Sequence, residues 1–480
     1  ISRSDKLQGS NLLLVNQNLT KGVEFEMTQT ESGSSTGGLI RGLNTFDMTM
    51  IVIGSIIGAG IFMTPSSIAG ELRSPALIIL VWVIGGVMAL CGALTYAELG
   101  AMIPEAGGVY VYLSKAYGGI WGFLYGWAYL VVVNTGGIAA IALVYASYIG
   151  YFVHLSPLGV KVVAISGIIL LTGVNYFGVV IAGKFASIFT VLKVAAVVGL
   201  IAAGFMFGSH NGSSFDQVIP GHLGTNLSAE IAMALVGVLW AYGGWQHATF
   251  LAGEAKNPRK SLPTSIIFGT IVVITAYVLV NLVYLYILPV PVIASSNHVA
   301  ADAASRVLGK IGGTFISVAI IVSTFGTAGI YTMSAPRIYY AMASDGVFFR
   351  KMAYIHPKYR TPGFAIILQS MWVIVLLMVG NFLQLITYAI FVDWIFFGLT
   401  AAAVFVFRRT MPDVERPYRT PGYPYTTLFF VLVAFWFVVN TLVTARIQSL
   451  AGLAFILLGI PIYFYWKRVN SRSIGAPSNG

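Results

Sequence analysis

Ile53-Gly54-Ser55-Ile56-Ile57-Gly58-Ala59-Gly60-Ile61-Phe62 places three glycines within seven residues, in the middle of an apolar stretch. Glycine weakens a helix interior and allows backbone geometries that other residues resist. Trp240-Ala241-Tyr242-Gly243-Gly244-Trp245 does the same in a second apolar stretch. The surrounding chain says what medium these stretches occupy. Of 480 residues, 57% are hydrophobic and 9% charged, against about 25% charged in an ordinary soluble domain. Mean hydropathy is +0.84. So few charges cannot cover a soluble protein, which excludes a soluble enzyme, a disordered chain and a nucleic-acid-binding domain. The net charge of +11 comes from short basic clusters between apolar blocks, the pattern of loops between membrane helices. Cys91 is the single cysteine, so no intrachain disulfide can form.

A membrane helix needs about 20 mainly apolar residues. Such runs occur at 46–69, 76–100, 120–151, 161–179, 184–207, 229–252, 263–289, 312–342, 363–380, 382–407, 425–444 and 448–466, and predict an all-α protein of twelve spans. With the N-terminus inside, the outside holds only Arg73, Lys161, Arg306, Lys310 and Arg446 of the 27 Lys and Arg; Lys193 lies within a span. Both termini are therefore expected in the cytoplasm and the chain in the cell membrane. Residues 1–40 read as a disordered tail, with the stretch before Met27 as an upstream extension, and 469–480 as a second tail. The apolar patch Leu12–Val15 is too short for a secretory signal.

The two glycine-rich stretches lie five spans apart. Either they pack helices closely through small residues, or they interrupt corresponding helices of an inverted-repeat transporter. The pairing favours the second reading. An interrupted helix exposes N–H and C=O groups away from bulk water, and those groups need partners. Half-helix N-termini attract an anion and half-helix C-termini a cation. A free α-amino acid offers both.

Further pieces carry a resemblance: Tyr96-Ala97-Glu98-Leu99-Gly100, Pro104-Glu105-Ala106-Gly107-Gly108, Glu254-Ala255-Lys256-Asn257-Pro258-Arg259, Ser334-Ala335-Pro336-Arg337 and Asp393-Trp394. In order and spacing with the two broken stretches, over about residues 40–468, they resemble the amino acid–polyamine–organocation superfamily, specifically bacterial relatives of the L-type amino acid transporter light chains. The resemblance implies a ten-helix core over 41–407 built as a five-plus-five inverted repeat, with discontinuous helices 1 and 6 and two accessory helices over 408–468. It implies carboxylate binding by the amides of Ala59 and Gly60, with Ser55 and Gly58 shaping the turn. The ammonium would meet carbonyls of Ile56, Trp240 and Gly243, beside Ala241. Trp240 corresponds to an aromatic gate. Thr327, Gly137 and Ile141 correspond to site-facing positions, as do Ser323 and Thr324. The light chains' partner-linking cysteine has no counterpart in Phe152–Pro157, so no disulfide-linked heavy subunit is expected.

Single residues carry competing readings. Trp245 is a second gate or a packing aromatic. Asp393, next to Trp394, lines a side-chain pocket or bonds a neighbouring helix, since a carboxylate at membrane depth faces a cavity or a partner. Lys193 lies nine residues beyond Lys184, about 13 Å deeper, too deep to snorkel. Its ammonium must find oxygens, with free carbonyls of span one and hydroxyls of Ser323 and Thr324 as candidates. The resemblance puts it where sodium-coupled relatives hold Na⁺. A bracing role or a proton-carrying role would also place a lysine there. Glu98 pairs with a loop cation, and His247 is a hydrogen-bonded structural histidine or a proton relay. No metal spacing, cofactor motif or phosphate-binding loop is present, and no paired carboxylates or Ser/Lys dyad suggest a membrane-embedded enzyme. A nutrient sensor would add a soluble signalling domain. The expected activity is sodium-independent transport of amino acids by exchange or uniport, with a proton-coupled amino acid or polyamine symporter as the alternative.

Overall fold

The computed structural model describes residues 38–208, 227–380 and 382–474, with side chains undescribed for 382–387 and 470–474. The expected tails lie outside these residues for 1–37 and 475–480, as do His210 and His222. From Leu39 onward the protein is helical, with no strand among the described residues.

The first span is two helices, α1 (Thr45–Ile56) and α2 (Gly60–Leu72). There follow α3 (Pro75–Met102), α4 (Val109–Tyr117) and α5 (Gly119–Ala128), which passes through a π segment, Tyr129–Val133, into α6 (Asn134–Ile149). Next come α7 (Pro157–Tyr176), α8 (Val179–Phe207), α9 (Leu227–Ala241), the short α10 (His247–Phe250), α11 (Pro258–Ile287) and α12 (Val290–Ser295). The last group is α13 (Val299–Ser334), α14 (Pro336–Ser344), α15 (Gly363–Val379), α16 (Phe382–Thr410), α17 (Tyr425–Thr444) and α18 (Arg446–Ile474). Ten runs among the described residues are long and apolar enough to cross a membrane. Two shorter apolar helices, Leu227–Ala241 and Gly363–Val379, fall where spans six and nine are expected.

Several helices begin earlier than hydropathy predicts, because caps set their ends. The expected start at 161 lies inside α7: Ser156 Oγ accepts from Gly159 N at 3.1 Å and Pro157 takes the first turn. Lys161 stays in the helix and donates to the Met378 carbonyl at 2.8 Å. The expected start at 184 likewise lies inside α8, which Gly178 opens at φ 126°. α13 begins at Val299 rather than 312 and kinks at Gly309, φ 64°. The expected span 229–252 is interrupted at its glycines, as its sequence predicts: the helix ends at Ala241, and residues 242–246 form turns.

α11 packs between α1 and α3, α13 against α6 and α8, and α2 against α9; α17 and α18 lie on α16. Residues 43 and 255 form an isolated parallel bridge, with Leu43 N donating to Glu254 O at 3.0 Å and Lys256 N to Leu43 O at 2.8 Å. The Glu254 carboxylate is buried with Arg337 of α14, which donates through Nε at 2.6 Å and Nη2 at 2.9 Å.

Glu98 near the end of α3 accepts from Arg408 Nε and Nη2 at 3.0 and 2.8 Å and from Thr420 N at 2.7 Å. It ties α3 to α16 and to the loop before α17; its bonded cation belongs to the end of α16 rather than to a loop, and the loop's Arg416 Nε lies 3.7 Å away. Charge-assisted bonds of this kind make Glu98→Gln costly, by about 1–3 kcal/mol. The expected result is a lower Tm for the detergent-purified variant; an unchanged Tm would mean that desolvation cancels the pair.

Candidate functional site

α1 starts with a capping box in which Asp47 N donates to Asn44 Oδ1 at 2.9 Å and Asn44 N to Asp47 Oδ2 at 3.1 Å. It stops at Ile56 because Ile57 leaves helical geometry, at ψ 82°. Gly58 N then turns back to the Ile56 carbonyl at 2.8 Å. α2 restarts at Gly60; Phe62 N and Met63 N both donate to the Ala59 carbonyl at 3.1 Å, which leaves the amides of Gly60 and Ile61 without an intrahelical acceptor. Among them, Gly60 faces the cavity described below, as does Ala59. The Ile56 carbonyl is already engaged: it also accepts from Tyr277 OH of α11 at 2.8 Å. It is therefore not the open acceptor that the resemblance implies.

The second break meets the first. A Cβ on Gly60 would stand 2.7 Å from Ala241 Cα, and one on Gly244 would stand 2.6 Å from the Ser55 carbonyl oxygen. Both glycines are thus needed for close approach, and Gly244 also has φ 129°. Gly60 is not a positive-φ position. Ser55 Oγ lies 2.9 Å from the carbonyls of both Val52 and Gly244, bonding one break to the other. The Gly243 carbonyl accepts no hydrogen bond among the described residues.

Between the breaks lies a cavity of about 80 Å³. Drug-sized ligands occupy roughly 300–1,000 Å³, so this space suits a small solute. Its lining includes Ser55, Ile56, Gly58, Ala59 and Gly60 from the first break and Trp240, Ala241 and Gly243 from the second. Asp393 and Trp394 of α16 complete the wall, and Gly137, Ile141 and Thr327 also reach it. Trp245 does not line the cavity. It is buried against Tyr96 and Phe397, at ring separations of 4.6 and 5.2 Å, which is the packing arrangement rather than a gate.

Four polar lining residues were not singled out in the sequence as facing this space: Tyr129, Asn134, Gln246 and Tyr331. Tyr129 opens the π segment and Asn134 follows it, where Thr135 Oγ1 donates to the Leu130 carbonyl five residues back, at 2.7 Å. His247 also lines the cavity, stacked on Tyr331 at 3.9 Å. Its Nδ1 lies 2.6 Å from Ser334 Oγ and its Nε2 3.3 Å from Tyr129 OH. It is hydrogen-bonded on both sides, as the structural reading expects. Asp393 is the one carboxylate in the lining, and its Oδ1 is buried without a partner.

Behind the first break, Lys193 of α8 is 1% exposed. Its Nζ donates to the carbonyls of Gly54 and Ile57, each at 2.9 Å, and to Thr327 Oγ1 at 2.8 Å. Thr327 Oγ1 itself lies within 3.0 Å of the Gly54, Ile57 and Ser323 carbonyls. Ser323 Oγ reaches the Ile57 carbonyl at 3.3 Å. Thr324 does not join this cluster: its hydroxyl donates back along α13 to Ile320 at 2.7 Å. The hydroxyl partner of Lys193 is Thr327, one helical turn from Ser323.

A many-span helical protein whose two interrupted helices enclose a small cavity with free helix ends has the architecture of a membrane transporter. The chain belongs to the amino acid permease family, whose profile matches residues 43–464. It is thus a transporter and not an enzyme. It is 31% identical over 435 residues to the serine/threonine exchanger SteT of Bacillus subtilis (strain 168), covering 90% of this chain and 98% of that one. It is 30% identical to the human b(0,+)-type amino acid transporter 1, covering 92% and 90%. It is also 30% identical to the large neutral amino acids transporter small subunit 2 of Rattus norvegicus, covering 92% and 84%.

Proposed function

We propose that this protein exchanges α-amino acids across the cell membrane, independently of sodium, by alternating access through the cavity between its two broken helices. The substrate carboxylate binds at the start of α2, on the amides of Ala59 and Gly60, and the ammonium at the end of α9, on the Gly243 and Trp240 carbonyls. Trp240 gates the site. Twelve crossings, arranged as a five-plus-five inverted repeat over 41–407 with accessory helices over 408–468, put both termini in the cytoplasm. The opposed breaks and the two short apolar helices support that count.

The observation that carries the sodium-free reading is the Lys193 ammonium, seated on two carbonyls of the first break and on Thr327. A protein-borne cation at this seat supplies the positive charge that a bound metal ion would bring. Proteoliposomes test the proposal. Labelled serine should enter only when unlabelled amino acid is loaded inside, and equally in sodium or choline medium. Uptake that collapses in choline would refute it. The carboxylate in the cavity lining, Asp393, whose Oδ1 has no partner among the described residues, favours a second reading, proton-coupled symport of an amino acid or polyamine. Uptake driven by an imposed pH gradient into empty vesicles would establish that instead.

Asp393 sits where a substrate side chain would end. A small hydroxyl or a cationic group gives Oδ1 its missing partner, and the serine/threonine exchanger among the relatives is in keeping with that size and polarity. Asp393→Asn is expected to move the ranking of competing substrates toward neutral apolar ones by roughly tenfold, the worth of one charge-assisted hydrogen bond. An unchanged ranking would leave Asp393 a structural role only.

The protein works without a disulfide-linked subunit in this reading. The loop 152–157 has no cysteine, and Cys91 is half-buried within α3.

A further inference from the structure

A second, larger cavity lies far along the chain from the broken helices. The turn Arg350–Ala353, the start of α15 and the last turns of α18 enclose a groove of about 690 Å³. Its walls are Phe349, Phe364, Leu368 and Trp466, with the Phe349 and Trp466 rings packed at 68° and 4.7 Å. Arg350 and Lys351 are the charged residues of its lining among the described residues, and Lys467 and Arg468 follow Trp466 in the chain. The apolar wall continues outward along α15, where Ile367, Met371 and Val375 are exposed. Such side chains on a membrane helix face hydrocarbon. Trp466, in the last turns of α18, is of the residue type that gathers at the boundary between hydrocarbon and headgroups. The groove therefore joins an acyl-chain environment to two cations at headgroup level.

We propose that this groove binds an anionic phospholipid, with its phosphate on Arg350 and Lys351 and an acyl chain along Phe364, Leu368 and Trp466. Basic pockets between membrane helices hold acidic headgroups by this combination. A second copy of the chain fits less well, because a twofold contact here would bring like-charged Arg350 and Lys351 together. A zwitterionic lipid would fill the apolar slot but gain little from the two cations.

The test uses the full-length protein, delipidated and reconstituted with phosphatidylglycerol or phosphatidylcholine of identical chains, and reads retained lipid by native mass spectrometry. The wild type should prefer phosphatidylglycerol about tenfold, the order expected for two nearby cations. The double variant Arg350→Glu/Lys351→Glu should lose that preference. Leu368→Trp, which fills the slot with both cations in place, should lose retention of either lipid at this site. Equal retention of the two lipids by the wild type would overturn the proposal. So would a preference that survives in Leu368→Trp, which decides the matter if the double variant fails to fold. A concentration-dependent dimer abolished by Leu368→Trp, without any lipid preference, would identify a second copy as the occupant and overturn it equally. None of these readouts depends on transport.

Discussion

Exchange by Lys193→Ala is expected to fall by on the order of 100-fold, the equivalent of about 2.7 kcal/mol. The truncation removes three hydrogen bonds from Nζ at once. Thr327 has a single hydroxyl proton for the Gly54 carbonyl, and Ser323 reaches the Ile57 carbonyl only at 3.3 Å, so the two carbonyls keep neutral bonds in place of the ammonium's. Losing hydrogen bonds to a charged group costs about 1.5–3 kcal/mol, and the first break then relaxes away from the geometry that aims Ala59 and Gly60 at the cavity. Counterflow in proteoliposomes checks the rate, and Tm checks the fold. Lys193→Met, which keeps the aliphatic length, separates the roles. Loss of exchange with Tm retained in the methionine variant supports the coupling role, whereas loss of Tm in both variants makes Lys193 a brace.

Gly60→Val is expected to abolish substrate binding. The structure sharpens the reason. The constraint is the 2.7 Å that would separate a new Cβ from Ala241 Cα, not an unusual φ. Backbone cannot yield there as a flexible side chain would, so α2 must move off α9 and the two half-helix ends separate. Even Gly60→Ala should weaken binding by about tenfold, since overpacking at such a contact costs roughly 1–3 kcal/mol. Thermal-shift titration with serine reads the affinity. A folded Gly60→Ala protein with wild-type affinity would sink the assignment of this crossing as the binding site.

The spans were legible because hydropathy over about 20 residues is a strong signal, and the breaks because glycines 54, 58, 60, 243 and 244 stand out in apolar surroundings. Span ends were not, because local caps such as Ser156-Pro157 set them, and an amphipathic residue such as Lys161 can stay within a helix. At the cluster behind the first break the sequence put Lys193 at the right depth but offered Ser323 and Thr324 as its hydroxyl partners, where Thr327 is the one bonded to it. Successive helix residues differ by about 100° in direction, and only packing of α13 on α1 sets which face turns inward. Trp245 could not be told from a gate by its place beside a break, since Tyr96 and Phe397, its packing partners, lie about 150 residues away in either direction. Asn134 was a missed signal of a kind that can be read: a lone amide among Leu130–Val133 and Ile138–Ile141 is costly at membrane depth and marks a cavity or a partner. The π segment beside it, which turns Tyr129 to the cavity, has no such mark. The occupied Ile56 carbonyl depends on Tyr277, a contact across 221 residues.

The short bridge between residues 43 and 255 bears on how the molecule can move. The entry to α1 and the strand-like exit from the second break are held in register by two backbone hydrogen bonds, and the exit is pinned again by Arg337 through Glu254. Backbone ties of this kind behave as a rigid crossbar between two arms. The helices on either side are interrupted at residues 57–59 and 242–246, and the crossbar links the two interrupted spans. In the function proposed above, this tie couples the hold on the carboxylate end of a substrate to the hold on its ammonium end.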